Sequence, residues 1–231
     1  MIAKSNQTDD DRPTIPPTPE GTYPAVCRGV IGIGTHNTGF KNPKTGKENW
    51  ANQVVLLFEL PTERIEINGK EVPRGINTFP MTVSLSPKAN LRKFIETWRG
   101  RKFTDKEAAA GFDLQVLLGQ NCLMSVINVD VGEKTYANIG GVLPAIKATP
   151  TFEPENPTIY YEIDSGMVIP EGTPEWLKIK IFESREMRGH SKDDETGQQN
   201  HAPEEVMVSE RVTEQMVNEE FGIKDDNDVP F

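Results

Sequence analysis

The residues able to do covalent or metal chemistry are few and scattered. His36, His190 and His201 are the only histidines, and none belongs to a CxxC, HExxH or similar cluster, so neither a zinc site nor a histidine-driven nucleophile is expected. Gly32, Gly34 and Gly39 do not make a GxGxxG between a strand and a helix. Gly46-Lys47-Glu48 lacks the Ser or Thr that a phosphate loop carries after its lysine. Glu59, Glu63 and Glu66 lie on strand ends and a hairpin with lysines nearby, and read as a solvated surface before they read as a metal set. No catalytic residue, metal or cofactor is expected, and the chain does not read as an enzyme.

Residues suited to binding are better organised. Lys41, Lys44 and Lys47 recur at three-residue intervals around Phe40, and Trp50 follows them. Arg28, Arg74, Phe79, Lys134 and Tyr136 extend the same mixture of cations and rings. A basic track with interleaved aromatic faces holds single-stranded nucleic acid without reading its sequence, because phosphates pair with the cations and every base has a face to stack. Phe40 sits in a Gly/Lys/Asn-rich stretch with little to pack on and is expected to stack. Trp50 and Tyr136 read equally as core or platform, and Phe79 more readily as core. Lys88, Arg92 and Lys93 read as the wet face of a helix.

These side chains must be positioned by short strands, for which 19 Gly and 18 Pro provide the punctuation. Thr22–Ile33 reads as a first strand interrupted by Gly29, Gly32 and Gly34, with Tyr23, Cys27, Ile31 and Ile33 on one face and Val26, Arg28 and Val30 on the other; glycine inside a strand marks a bulge or bend. Gly34–Asn49 reads as a loop. Gln53–Leu60 is apolar enough for a strand buried on both faces. Asn68-Gly69 signals an additional hairpin within Arg64–Arg74, and Phe79–Leu85 alternates as a third strand.

Ser86-Pro87 predicts a helix start with Ser as N-cap, followed by an apolar face of Leu91, Phe94, Ile95 and Trp98 and a stop at Gly100. Thr104–Glu107 is a capping box opening a short second helix. Asn121–Val129 and Thr135–Val142 read as the last two strands. Three strands, a capping helix and a two-strand hairpin is the element order of the OB-fold, a five-stranded Greek-key barrel; an open sandwich is the alternative. Beyond it, Pro144–Pro157 reads as extended, and Thr173-Pro174-Glu175 opens a helix carrying Trp176, Leu177 and Ile181.

Charge divides the chain. Residues 1–150 hold 18 Lys and Arg against 15 Asp and Glu, whereas residues 151–231 hold 7 against 20. The expected organisation is a disordered arm over 1–20, an all-β body with its extension over 21–183, and a disordered acidic tail over 184–231, with a weak helix over Pro203–Phe221. Cys27 and Cys122 each lie in an apolar run and are expected as buried free thiols in a reducing compartment. No run approaches the about 20 apolar residues of a membrane span, so a cytoplasmic protein without membrane contact is expected. The tail ends in Asp225-Asp226-Asn227-Asp228-Val229-Pro230-Phe231, three carboxylates before an apolar, proline and aromatic tip. Such a tip serves as a ligand, with Phe231 in an apolar pocket and cations around it taking Asp225, Asp226 and Asp228.

That ending resembles the acidic tip of bacterial single-stranded DNA-binding proteins. The layout from Gly21 to Val142, with its SPKANLRKFIETWRG helix, NCLMSVIN strand and GEKTYANI hairpin, resembles phage-encoded single-stranded DNA-binding proteins of OB-fold type. The resemblance implies coating of single strands during phage replication or recombination in the cytoplasm of the infected bacterial host, and recruitment of replication and repair proteins through the tip. The longer chain, the segment 144–157 and the Asn68-Gly69 hairpin depart from the bacterial pattern, so a monomer or dimer is expected rather than the bacterial tetramer. A second reading is an adaptor whose body binds protein and whose tip mimics the host tail to divert host enzymes.

Overall fold

The computed structural model describes residues 15–41, 43–132, 134–163 and 168–189. Its frame is mostly antiparallel sheet with few helices. The elements are β1 (Gly21–Lys41), β2 (Glu48–Ile67), β3 (Lys70–Asn77), β4 (Met81–Thr82), α1 (Asn90–Arg99), α2 (Asp105–Ala110), a 3-10 turn (Leu114–Leu117), β5 (Asn121–Val131), β6 (Lys134–Pro144), β7 (Ile159–Tyr161) and α3 (Glu175–Glu183). The strands run β3-β2-β1-β5-β6, with β4 added to β2 and β7 to β1. β3 and β6, at the two ends of that order, also approach each other.

Two long strands form the centre, and both are buried on both faces. Along β2 the side chains alternate: Val54, Leu56, Phe58 and Leu60 enter the main core, while Val55 and Leu57 enter a second cluster on the opposite face. The main core is closed by Leu91, Ile95 and Trp98 of α1. The second cluster is closed by the C-terminal extension, through Ile159 and Tyr161 of β7 and Leu177 and Ile181 of α3. β7 lies parallel to β1, pairing Gly29–Ile31 with Ile159–Tyr161, on the edge that β5 occupies for Gly21–Val26.

The expected glycine bulges in β1 are present. Register shifts fall between Cys27 and Gly29 and between Gly32 and Gly34. The first shift changes the phase of the strand: Cys27 and Val30 both enter the main core, whereas Ile31 and Ile33 point into the outer cluster. The expectation that Cys27 shares a face with Ile31 and Ile33 is therefore corrected, because an extra residue at the first bulge inverts the side chains that follow it up to the next one. Both cysteines are buried and unbridged, and burial pushes each thiol up to about 12.

Four further expectations change. Gly34–Asn49 is largely not a loop: β1 and β2 continue as a paired ribbon, with Thr35 opposite Asn52, Asn37 opposite Trp50 and Lys41 opposite Glu48. The third long strand is Lys70–Asn77, the second limb of the Asn68-Gly69 hairpin, so that hairpin is the β2–β3 connection itself. Asn68 (φ 54) and Gly69 (φ 74) both adopt the left-handed conformation that this tight turn demands. Phe79–Leu85 contributes only Met81 and Thr82 to the ladder; Pro80 has no N–H to give, and Thr78 meets Leu56 through both its N–H and its hydroxyl oxygen instead. α1 starts at Asn90, not Ser86, because Ala89 N–H closes a separate turn onto the Ser86 carbonyl. Fourth, Glu59 is no solvated acid. It is 1% exposed and accepts from the Glu155 and Asn156 N–H groups and the Asn156 side chain.

The Gly100 stop and the capping box on Thr104 and Glu107 are as expected. Arg99 and Arg101 converge on the Glu107 carboxylate, which these bonds hold well below the usual carboxylate range.

Candidate nucleic-acid interface

The predicted binding residues separate into a ribbon, a groove and an anchor. The ribbon is the outer end of β1 and β2. Its antiparallel pairing carries Phe40 and Lys41 up one strand and Trp50 down the other, with Lys44 and Lys47 in the turn between them. Gly39 (φ 79) and Gly46 (φ 66) supply left-handed residues there, and Thr38 Oγ1 donates to the Asn49 carbonyl across the ribbon. Phe40 is 57% exposed, with the three lysines exposed around it. Trp50, 37% exposed, is neither core nor open platform: the Arg185 guanidinium carbon lies 3.8 Å from its ring centroid. This cation–π contact is one that sequence reasoning missed.

The groove, of about 650 Å³, lies where β3 faces β6. Ile65 and Ile67 from β2, Pro73 and Arg74 from β3, and Lys134 and Tyr136 from β6 line it, together with Ile15–Thr18. The β5–β6 register, pairing Val129 with Tyr136 and Val131 with Lys134, fixes where the last two enter. Arg74 donates to the Pro16 carbonyl at 2.7 Å, so the arm residues from 15 onward are docked here. Predicted members Arg74, Lys134 and Tyr136 thus meet in one place. Phe79, half-buried beyond β3, does not line this groove.

The anchor is Arg28. It lies 3.8 Å from the buried Glu59 carboxylate and helps hold the 155–156 segment to the sheet. That position commits it to the buried carboxylate of Glu59.

Ser184–Arg188, read from sequence as the start of the tail, packs on β1. Ser184 is fully buried, Arg185 N–H donates to the Thr35 carbonyl, and the Glu186 carboxylate accepts from Thr35 N–H and hydroxyl at 2.9 and 2.6 Å. Burial alone would raise the Glu186 carboxyl, but the two Thr35 bonds outweigh it and hold the group below its ordinary value. His36 beside it is pushed down by burial while its Nε2 bonds the Ile33 carbonyl. The tip residues Asp225, Asp226, Asp228, Val229, Pro230 and Phe231 lie outside the described residues, as do Pro203–Phe221 and the arm up to residue 14.

Among the described residues no three His, Cys, Asp or Glu side chains gather as a metal site, and no helix is long and apolar enough to cross a membrane. Compared with known proteins, the chain matches no family model, no curated protein and no solved structure.

Proposed function

We propose that this protein coats single-stranded DNA in phage replication or recombination, and that its C-terminal tip recruits replication or repair enzymes in the bacterial cytoplasm. The body is read as an OB-type barrel. The strand order β3-β2-β1-β5-β6, the approach of β3 to β6, and a helix capping the core between the third and fourth long strands support that reading. The observation that carries the function is the presence of two basic, aromatic surfaces at opposite ends of β2: the Phe40 and lysine ribbon, and the Arg74, Lys134 and Tyr136 groove. Cations that take phosphates and rings that take bases at both places suit a flexible single strand better than a rigid duplex.

In this mechanism the acidic tail competes for the same surfaces when DNA is absent, since covalent tethering supplies an effective concentration of up to ~mM. Neutralising about 4–6 phosphates gives a slope of log affinity on log salt of about -3 to -4. The test is a gel shift with oligo-dT against duplex of equal length at low salt, on the full chain and on a chain ending at Gly189. The expected result is single-strand preference, tightened in the shortened chain, with partner capture lost. Equal binding to both DNAs would instead favour the adaptor reading.

A further inference from the structure

Trp50 has an occupant. With the Arg185 guanidinium carbon over the ring at 3.8 Å from its centroid, the cation is in contact with the ring face and no third group fits between them. The backbone beneath this guanidinium is firmly held. Ser184 N–H donates to Ile181, Arg185 N–H to Thr35, and Arg188 N–H to Ser184, each at 3.1 Å, while Glu186 receives two bonds from Thr35. Gly34 permits this approach, since a Cβ there would lie 2.6 Å from Ser184 Cβ. The head group is held far less. Among the described residues it forms no ion pair, and its buried Nε has no hydrogen-bond partner. A hydrogen-bonded turn thus presents a guanidinium whose contact among the described residues is the face of the indole.

We infer that Arg185 is an exchangeable plug on the stacking face of Trp50: a nucleobase and this guanidinium compete for one ring, and single-strand binding displaces Arg185. The inference rests on the single-strand reading of the ribbon. It carries a signature that ordinary electrostatics reverses. Removing a cation beside a phosphate track weakens DNA binding, whereas removing a plug strengthens it.

The experiment is fluorescence polarisation of labelled oligo-dT with the full chain and its variants. Arg185→Ala is expected to tighten binding roughly 2- to 5-fold, the weight of one exposed cation–π contact. Arg185→Lys is expected to fall between, because an ammonium lacks the planar stack. Trp50→Ala is expected to weaken binding, and Trp50→Ala with Arg185→Ala to bind no tighter than Trp50→Ala. Equal or weaker binding by Arg185→Ala, where the parent binds oligo-dT, overturns the plug and leaves the single-strand reading standing. Absence of oligo-dT binding by the parent and by Arg185→Ala alike overturns both. Amide exchange supplies the second measurement: Thr35 N–H is expected to stay protected in Arg185→Ala, and loss of that protection would assign any tightening to an opened turn and overturn the plug.

Discussion

Gly34 sets how closely the C-terminal segment crosses the first strand. Its φ of +86 lies in the left-handed region, and a Cβ would meet Ile163 at 2.5 Å and Ser184 at 2.6 Å. Gly34→Ala combines backbone strain with overlap, and is expected to cost about 2–3 kcal/mol, read as a lowered urea midpoint at unchanged slope. His36, two residues on, gives a pH test. Burial, aided by Lys180 and opposed by the Ile33 carbonyl, Glu183 and Glu186, holds it below its ordinary value. The unfolded chain therefore takes up the proton first on acidification, and the stability present above about pH 6.5 falls as pH drops through that value. Urea midpoints at pH 7.5 and 5.5 are expected to differ in the parent and to converge in His36→Gln. Glu186, also held low, acts in the same direction only at more acid pH, below about 4.5. At this scale the sequence was legible where chemistry is local. The paired Asn68-Gly69, the Thr104 box and the buried thiols needed only their neighbours. Glu59 and Arg185 were illegible because their partners, Asn156 and Trp50, are remote in the chain.

The ribbon of β1 and β2 turns a glycine- and lysine-rich stretch into a projecting element. Its composition reads as a loop, yet antiparallel pairing continues through Lys41 and Glu48, since exposed two-stranded ribbons need little hydrophobic content when the sheet below anchors them. If Lys41, Lys44 and Lys47 each neutralise one phosphate, replacing all three with alanine is expected to lower the salt slope by about 2 while leaving the urea midpoint near that of the parent. An unchanged slope would move the interface elsewhere. The third strand was misplaced for a related reason. Phe79–Leu85 alternates as a strand should, but Pro80 and the Thr78 side chain interrupt the ladder, while the more polar Lys70–Asn77 pairs because the Asn68-Gly69 turn hands it directly to β2. α1 was legible because its apolar spacing repeats over a whole element, and only its first turn was displaced.

For the molecule as a whole, the sequence suggested a body followed by a tail, and the described residues show a body with a second layer. The extension from Glu155 to Arg188 covers Ile31, Ile33, Val55 and Leu57, which face away from the main core. Ending the chain after Pro144 would bare those four side chains as one apolar strip beside an unpaired edge of β1, whereas ending it at Gly189 keeps them covered. Light scattering is expected to show aggregation of the first and a single species for the second; a monodisperse short chain would mean the layer is dispensable. Two sequence features announced this layer: the continuous apolar run Gln53–Leu60, which demands cover on both faces, and the helix carrying Trp176, Leu177 and Ile181, which supplies part of that cover. The three residues of β7 carry too little pattern to be read. The layer also sets a timetable. Thr35 and Glu186 bond across 151 positions, so a ribosome adding ~5–20 residues per second leaves the outer face of β1 and β2 uncovered for on the order of 10 s after β1 emerges. During synthesis that face is an open binding surface, and chaperone demand is expected to track translation speed through the second half of the message.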